Sequence, residues 1–375
     1  MRVGVNLLWM VPGEVGGSET WMSGLLGHLA TNRAAHDVVL FAPDAVLAAH
    51  PELAPLEVVR APDRVGPSRP FRVLAESTWL PLAARRARVD VLHHPGGTLP
   101  SVRNRPAVLT VHDLQPLVMP ENFAATKRAY LRARLGPSVR KAKVVTAVSE
   151  YTRDELRIRL DVPDARLAVT PPAIDPDPSP VVGAGPGEAG DVVDRFGLDR
   201  PWFLYPAITY PHKDHATLVR ALASVPDALL VLTGGEGPSE SDVMALADDT
   251  GVADRVRRTG RIDLAALDAL YRGAVACTFP SRFEGVGVPV LEAMARGCPV
   301  LAADATALPS VVGSAGELLP AGDPEAWAAA MARLLSDDAR RAELAESGRV
   351  RVARWSPDAS VAKLVAAWDR AAGPD

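Results

Sequence analysis

Residues 275–300 read VACTFPSRFEGVGVPVLEAMARGCPV. The apolar run 275–279 predicts a buried strand, and Gly285 and Gly287 punctuate the stretch that follows it. Pro289 then stands where a first helical turn accepts proline, because its fixed φ suits a helix and its missing N–H has no partner there anyway. Strand, glycine loop and helix in succession are the building unit of a parallel α/β layer. Glycines let backbone N–H groups approach a ligand, and a helix N-terminus attracts phosphate, so the same stretch is a candidate anion site. It is not a dinucleotide fingerprint, since the position of the third glycine holds Val290.

The same alternation extends in both directions. Residues 2–9 predict a first strand, followed by a glycine loop at 13–17 and by Leu25, Leu26 and Leu29 at helical spacing. Apolar runs at 38–41, 89–93, 107–111 and 144–148 continue the pattern. Proline and glycine then crowd residues 171–190, which reads as a linker. Beyond it the pattern restarts, with strands at 202–206, 228–233, near Val256 and at 275–279, and with helices at 215–224, 241–250 and 264–272. Two helices follow at 326–335 and 338–354, and Pro357 opens a last one carrying Val361, Leu364, Val365 and Trp368. The expected organisation is therefore α/β throughout. It comprises a domain at 1–172 completed by a returning helix at 357–375, a linker at 173–194, and a second domain at 195–356.

A chain of 375 residues suits about two domains. With 48% hydrophobic and 23% charged residues it is neither disordered nor fibrous, and a net charge of -4 argues against a dedicated nucleic-acid binder. The charge is uneven: residues 1–170 carry 22 basic and 16 acidic side chains, against 19 and 29 in the remainder. Residues 127–143 hold Lys127, Arg128, Arg132, Arg134, Arg140, Lys141 and Lys143 with no acidic residue. Either this is a solvated helix face, or it attracts an anionic acceptor or a membrane surface. No apolar run reaches the roughly 18 residues that span a bilayer. The opening 1–11 reads as a buried strand rather than a signal peptide, so a cytoplasmic protein is expected, associated with the inner membrane face only under the second reading of 127–143. Cys277 and Cys298 read as reduced core thiols.

Glu284 and Glu292 are eight residues apart, about 12 Å along a single helix, and so are not an acid–base dyad on one face. With one in the loop and the other in the first helical turn, they suit the two ends of an extended ligand, sugar at one and ribose at the other. The plainer alternative is a solvated loop charge and a carboxylate that complements the helix dipole. No metal site is expected. Asp175 and Asp177 lie in the proline-rich linker, and the adjacent His93 and His94 point to opposite faces of a strand.

Glu284, Glu292 and their surroundings closely resemble the Glu-x7-Glu signature of retaining GT-B glycosyltransferases of family 4, the glycosyl transferases group 1. Residues 111–114 (VHDL), 145–155 (VTAVSEYTRDE) and 210–214 (YPHKD) resemble further segments of that family in the same order. The resemblance implies two Rossmann-like domains with parallel sheets facing a central cleft. It implies a metal-independent hexosyltransferase that takes a nucleoside diphosphate sugar as co-substrate, needs no other cofactor, and retains anomeric configuration. The acceptor would be a small-molecule, glycan or lipid-linked hydroxyl on the first-domain side, and nucleic acid would not be a partner.

Residue by residue, the resemblance assigns the diphosphate to Lys213 and the cradle of phosphate and sugar to Gly285, Val286, Gly287 and Val288. It assigns the ribose to Glu292, the donor sugar to Glu284 and His112, closure on the phosphates to Gly16 and Gly17, and the base to backbone near Ile262. Lys213, Glu284 and His112 form the implied catalytic set. Where many members carry an arginine six positions before the lysine, this chain has Ala207, and His212 is the expected substitute. A nucleotide-sugar epimerase of the same fold and a non-catalytic nucleotide-binding module are the alternatives. A dehydrogenase fits less well, because 13–17 lack the fingerprint spacing even though Asp44 follows the second strand.

Overall fold

The computed structural model describes residues 1–13, 16–32, 36–62, 65, 68–179 and 189–373. The chain divides into two compact units, Met1–Ala173 with Trp355–Asp375, and Ile174–Arg354. Among the described residues the first unit holds strands β1 (Arg2–Asn6), β2 (Asp37–Ala42), β3 (Glu57–Arg60), β4 (Val91–His94), β5 (Ala107–Val111), β6 (Val144–Ala147) and β7 (Leu167–Val169). The second holds β8 (Trp202–Pro206), β9 (Leu229–Thr233), β10 (Val256–Gly260), β11 (Ala276–Phe279), β12 (Val300–Ala303) and β13 (Glu317–Leu319). The sheet orders are β3-β2-β1-β4-β5-β6-β7 and β10-β9-β8-β11-β12-β13. All pairings are parallel.

Parallel neighbours need crossover connections, and the crossover helices cover the sheet faces. That is why the strands read as unbroken apolar runs instead of alternating patterns: β5, β9 and β11 are buried along their whole length. The core of the first unit gathers around Leu109, Val145 and Leu156 on one side and Phe41, Leu80 and Leu92 on another. The helix Pro357–Ala372 belongs to this unit. Its Ser360 hydroxyl donates to the Pro172 carbonyl at 2.8 Å, and Trp368 is fully buried with its ring 6.1 Å from that of His93. No helix among the described residues is long and apolar enough to cross a membrane.

Each sheet reverses its direction of growth once, between β1 and β4 and between β8 and β11. At such a reversal the loops leaving the two strand ends part to opposite faces and open a crevice beyond the carboxyl edge. The residues singled out by sequence lie in the loops and helix starts along these two carboxyl edges.

Two features differ from the sequence reading. Residues 180–188 of the expected linker lie outside the described residues, but 189–194 are helical, in Ala189–Phe196. That helix packs on Leu264–Gly273 with Val192 buried, because the apolar positions beyond the glycines fall on one face. Strands β3, β7, β12 and β13 went unread; β7 and β13 have three residues each, too few for a period to emerge, and sheet pairing supplies what local pattern does not. Cys277 and Cys298 are free and buried, and burial pushes the Cys298 thiol up to about 12.

Candidate active site

In the second unit the chain leaves β8 through residues 207–210 and makes a single tight turn, Pro211–Lys213. The turn ends at Asp214, whose φ of 52° is left-handed. Such a backbone costs a non-glycine residue about 1–2 kcal/mol, and Asp is among the residues that tolerate it best. Asp214 is also held in place, since its Oδ2 accepts from Thr217 Oγ1 at 2.8 Å and from Arg282 Nε at 2.9 Å. The Tyr205 hydroxyl donates to the Lys213 carbonyl at 2.6 Å, and the Arg282 N–H donates to the His212 carbonyl at 2.8 Å. The turn is thereby tied to both strands of the reversal.

A third tie comes from the loop after β9. Gly237 N–H donates to Thr209 Oγ1 at 2.7 Å, and a Cβ at Gly237 would stand 2.6 Å from the Thr209 carbonyl. Only glycine lets the two backbones meet there. The outcome of this bracing is an ion pair, with Lys213 Nζ 2.5 Å from Glu284 Oε1 and the two side chains 18% and 12% exposed. The ammonium also lies 5.4 Å from the centroid of the Phe279 ring, within cation–π range.

Glu284 lies in the loop after β11, where its N–H donates to Thr306 Oγ1 at 2.9 Å. Gly287, with φ 90°, caps the helix Val288–Ala295, where Pro289 has no N–H and Val290 N–H donates to the Gly287 carbonyl at 3.0 Å, so that Val288 N–H is the helical donor left without an acceptor within the helix. A Cβ at Gly287 would meet Leu308 Cδ2 at 2.7 Å. Gly287→Ala is therefore expected to destabilise the second unit by about 1–3 kcal/mol, from left-handed strain together with the clash. Hydrogen exchange in peptides from Val288–Ala295 reads this directly, and unchanged protection would count against it.

Glu292 is the fifth residue of the helix and so lies in its second turn, one turn later than the sequence spacing suggested. Its Oε2 lies 3.1 Å from the Tyr271 hydroxyl, while Oε1 has no hydrogen-bond partner among the described residues. Burial pushes the Glu292 carboxyl up, and Arg296 and the Tyr271 hydrogen bond pull it back. Arg296 Nε donates to Asp268 Oδ1, and Arg272 Nε to Asp268 Oδ2, each at 2.7 Å. The fully buried Asp268 thus keeps Arg296 from closing on the Glu292 side chain.

His212 brings no positive charge to the place of the absent arginine. Burial, and then the neighbouring Lys213 charge, press its imidazole down to about 4 against the opposing pull of Glu284. The ring is neutral at pH 7 and stacks on Tyr210 at 5.8 Å. Lys213 is left as the cation of this turn, with Arg282 engaged by Asp214. Gly285 and Val288 are partly buried and Val286 is buried in the same loop and helix start, and Ile262 lies just past β10 on the same carboxyl edge.

In the first unit Gly16 caps the helix Gly17–Thr31 with φ 64°, and a Cβ at either Gly16 or Gly17 would meet nothing within 4 Å. His112 immediately follows β5. Its Nε2 donates to the Pro95 carbonyl at 2.8 Å, and its ring lies edge-on to Trp21 at 5.1 Å. Burial lowers it to about 4 against the pull of that hydrogen bond, so it is neutral with Nδ1 as an acceptor. At the reversal itself Asn6 Nδ2 lies 2.8 Å from Glu76 Oε1 and 3.3 Å from His94 Nδ1. His93 Nε2 meets Thr110 Oγ1 at 2.7 Å instead, so the two histidines do part to opposite faces. Among the described residues no group of three or more His, Cys, Asp or Glu side chains is placed to hold a metal ion.

The family model for glycosyl transferases group 1 matches residues 193–351, and the model for glycosyltransferase family 4 matches residues 15–178. A GDP-mannose-dependent alpha-(1-6)-phosphatidylinositol monomannoside mannosyltransferase of Mycobacterium tuberculosis is 32% identical, over 94% of each chain. This chain is a group 1 glycosyltransferase. The O-antigen chain mannosyltransferase B of Escherichia coli is 31% identical over 69% of this glycosyltransferase and 68% of that protein. Among solved structures, HepE of Anabaena with UDP and glucose aligns over 98% of this chain and 99% of its own at TM-score 0.75 and 20% identity. Sucrose-phosphate synthase of Thermosynechococcus elongatus aligns over 98% of each at 0.76 and 22%. Those two likenesses establish the GT-B fold.

Within this glycosyltransferase the sequence reading missed the residues that set the geometry: Thr209, Asp214, Tyr271, Asp268, Arg282 and Thr306. A trace of some was present, since Arg296 stands four residues after Glu292 and Arg272 four after Asp268. The rest meet partners more than 20 positions away, Asp214 alone adding a local bond from Thr217. Asp177 N–H donates to Asp175 Oδ1 at 3.1 Å, a local turn.

Proposed function

We propose that this glycosyltransferase moves a hexose from a nucleoside diphosphate sugar to an acceptor hydroxyl, retaining anomeric configuration and requiring no metal ion. The observation that carries the reading is the Lys213–Glu284 pair at the reversal of the second sheet, in the loops that lead to the helix start at Gly287. Lys213 and the N–H groups of Val286, Gly287 and Val288 stabilise the charge that develops on the leaving diphosphate, where preorganised donors act most strongly. Glu284 accepts hydrogen bonds from the donor sugar, and Glu292 offers Oε1 to ribose hydroxyls with its other oxygen already at Tyr271. The departing phosphate takes the acceptor proton on the same face of the sugar, so no side chain serves as nucleophile. The acceptor is assigned to the carboxyl edge of the first unit, where neutral His112 presents Nδ1 to a hydroxyl.

The two relatives named above are mannosyltransferases, so GDP-mannose heads the donor panel, followed by UDP, ADP and TDP sugars. Product stereochemistry from the donor that stabilises the protein in thermal shift tests the assignment, and an inverted product or donor conversion without acceptor would overturn it. EDTA is expected to leave turnover within about a factor of two; strict dependence on added Mn²⁺ or Mg²⁺ would move the charge assignment off Lys213. Glu292→Gln is expected to weaken free nucleotide by about 1–3 kcal/mol through lost charged hydrogen bonds, measured by calorimetry.

A further inference from the structure

The basic stretch 127–143 does not act as one face. It is the helix Ala125–Lys141 with the residues just after it. Arg134, midway, turns inward to the Leu99 carbonyl and donates to Ser101 Oγ at 3.0 Å. The far end leads into β6, and there the cations converge with others from elsewhere in the first unit.

The loops that lead into β5, β6 and β7, with the helix Pro357–Ala372, border an open recess of about 760 Å³. Arg103, Arg105, Arg140, Lys141, Lys143, Arg166 and Arg370 line it, and among the described residues no acidic side chain does. Lys143 donates to the Gly373 carbonyl; none of the other six has a carboxylate within 4.0 Å among the described residues, although elsewhere in the unit ion pairs are common, as at Arg2–Glu57, Arg60–Asp44 and Arg159–Glu155. Arg166 is occupied structurally, donating to the Val139 and Ala142 carbonyls at the end of the helix. Arg370 donates to the Leu167 carbonyl at 2.7 Å. Arg140 and Lys141 are exposed at the rim. Arg103 and Arg105 each keep a buried Nε without an acceptor.

Like charges gathered in a concave wall repel one another, and partial burial removes the solvent that would screen them. Arg103 is held below its ordinary range by burial and by Arg134, and Arg370 by burial. A multiply charged anion relieves both penalties, and guanidinium forks match phosphate oxygens in geometry. In a parallel sheet these loops lie on the amino edge, opposite the carboxyl edge that carries Gly16, Gly17 and His112.

We infer that this cavity is a second ligand site, separate from the reaction edge, for a phosphate-bearing anion. Its chemistry is shared by a soluble polyphosphorylated molecule and by a phospholipid head group. The inference is independent of the donor assignment.

The test uses Lys213→Met as background, so that the diphosphate site proposed above contributes nothing. Pyrophosphate binding is measured by calorimetry, and binding to phosphatidylcholine vesicles with and without phosphatidylglycerol by sedimentation. The pocket variant is Arg140→Glu with Lys141→Glu. Its control is Arg85→Glu with Arg86→Glu, the same charge change in the last turn of Arg69–Arg86, outside the cavity lining. Reversing two cavity charges is expected to weaken at least one probe by roughly tenfold or more, with the control within about twofold of the parent. Vesicle binding that pyrophosphate competes away assigns the head group, and pyrophosphate binding without vesicle binding assigns a soluble ligand. If neither probe separates the pocket variant from the control, the cavity is only part of a diffuse basic surface and the inference fails.

Discussion

Glutamine in place of Glu284 is expected to bind bare nucleoside diphosphate about tenfold more tightly while transferring sugar two to three orders of magnitude more slowly. Lys213 Nζ is 2.5 Å from Glu284 Oε1, and both side chains are largely shielded from water. An incoming diphosphate must therefore share the ammonium with a carboxylate whose charge repels it. Close ion pairs of this kind couple by about 1.5 kcal/mol or more, and 1.4 kcal/mol is a factor of ten in affinity. Glutamine keeps an acceptor for Nζ but removes the competing charge. Transfer falls for a different reason, because the carboxylate assigned to the sugar is gone, and losing one oriented group at a reacting centre costs about 10²–10³ in rate. The family resemblance places Glu284 beside the sugar, away from the diphosphate; the ion pair brings its charge to the cation that the diphosphate must share. Calorimetry with nucleotide and a transfer assay on one variant give two numbers that move in opposite directions. Weaker or unaltered nucleotide binding would show that Lys213 is not the shared cation.

A second large effect is expected in the first unit, as a dependence of stability on pH. Glu76 is buried and accepts from Asn6 Nδ2 at 2.8 Å. Burial pushes its carboxyl from 4.5 up to about 7, while Asn6, Arg72 and Arg134 pull the other way. A raised carboxyl is one whose protonated form the fold prefers. Its stabilising contribution is complete below pH 4.5 and is lost as the pH rises through about 7. Glu76→Gln keeps the acceptor for Asn6 and carries no charge at any pH. The variant is therefore expected to match the parent near pH 4.5 and to exceed it at pH 8 by on the order of 3 kcal/mol. Hydrogen exchange of peptides covering β1 and β4 isolates this unit from the other. A variant less stable than the parent at pH 8 would mean that Arg72 and Arg134 hold Glu76 as a carboxylate. The buried neutral His93 and His94, lowered to about 3, act in the opposite direction, opposing folding as pH falls below 6.5.

Much of the architecture was legible because parallel α/β units write themselves locally. A buried strand is a continuous apolar run, a crossover helix has a stripe, and glycine marks the loop between them, so 275–300 could be read as strand, loop and helix from its own residues. The helix Pro357–Ala372 was equally legible. Short strands such as Leu167–Val169 and Glu317–Leu319 were not, since three residues carry no period and exist as strands only because a neighbour pairs with them.

The site divides along the same line. Glu284 and Glu292 stand out by spacing and Lys213 by its resemblance to a family segment, and the sequence by itself determined which residue types occupy the loop, the helix and the turn. It did not determine their charge or their partners. Lys213 and Glu284 are 71 positions apart and meet because β8 and β11 are neighbours in the sheet. His212 looks like a second cation in sequence and is neutral in the fold, because burial and the adjacent ammonium both oppose its proton. The basic stretch 127–143 reads as one patch, yet the fold turns Arg134 inward and gathers Arg140 and Lys141 with arginines from three other segments. Periodicity and motif spacing act over a few residues and survive in the one-dimensional chain. Desolvation and Coulomb interactions depend on what the fold brings within several ångströms, so protonation, pairing and pocket charge were decided only by the tertiary structure.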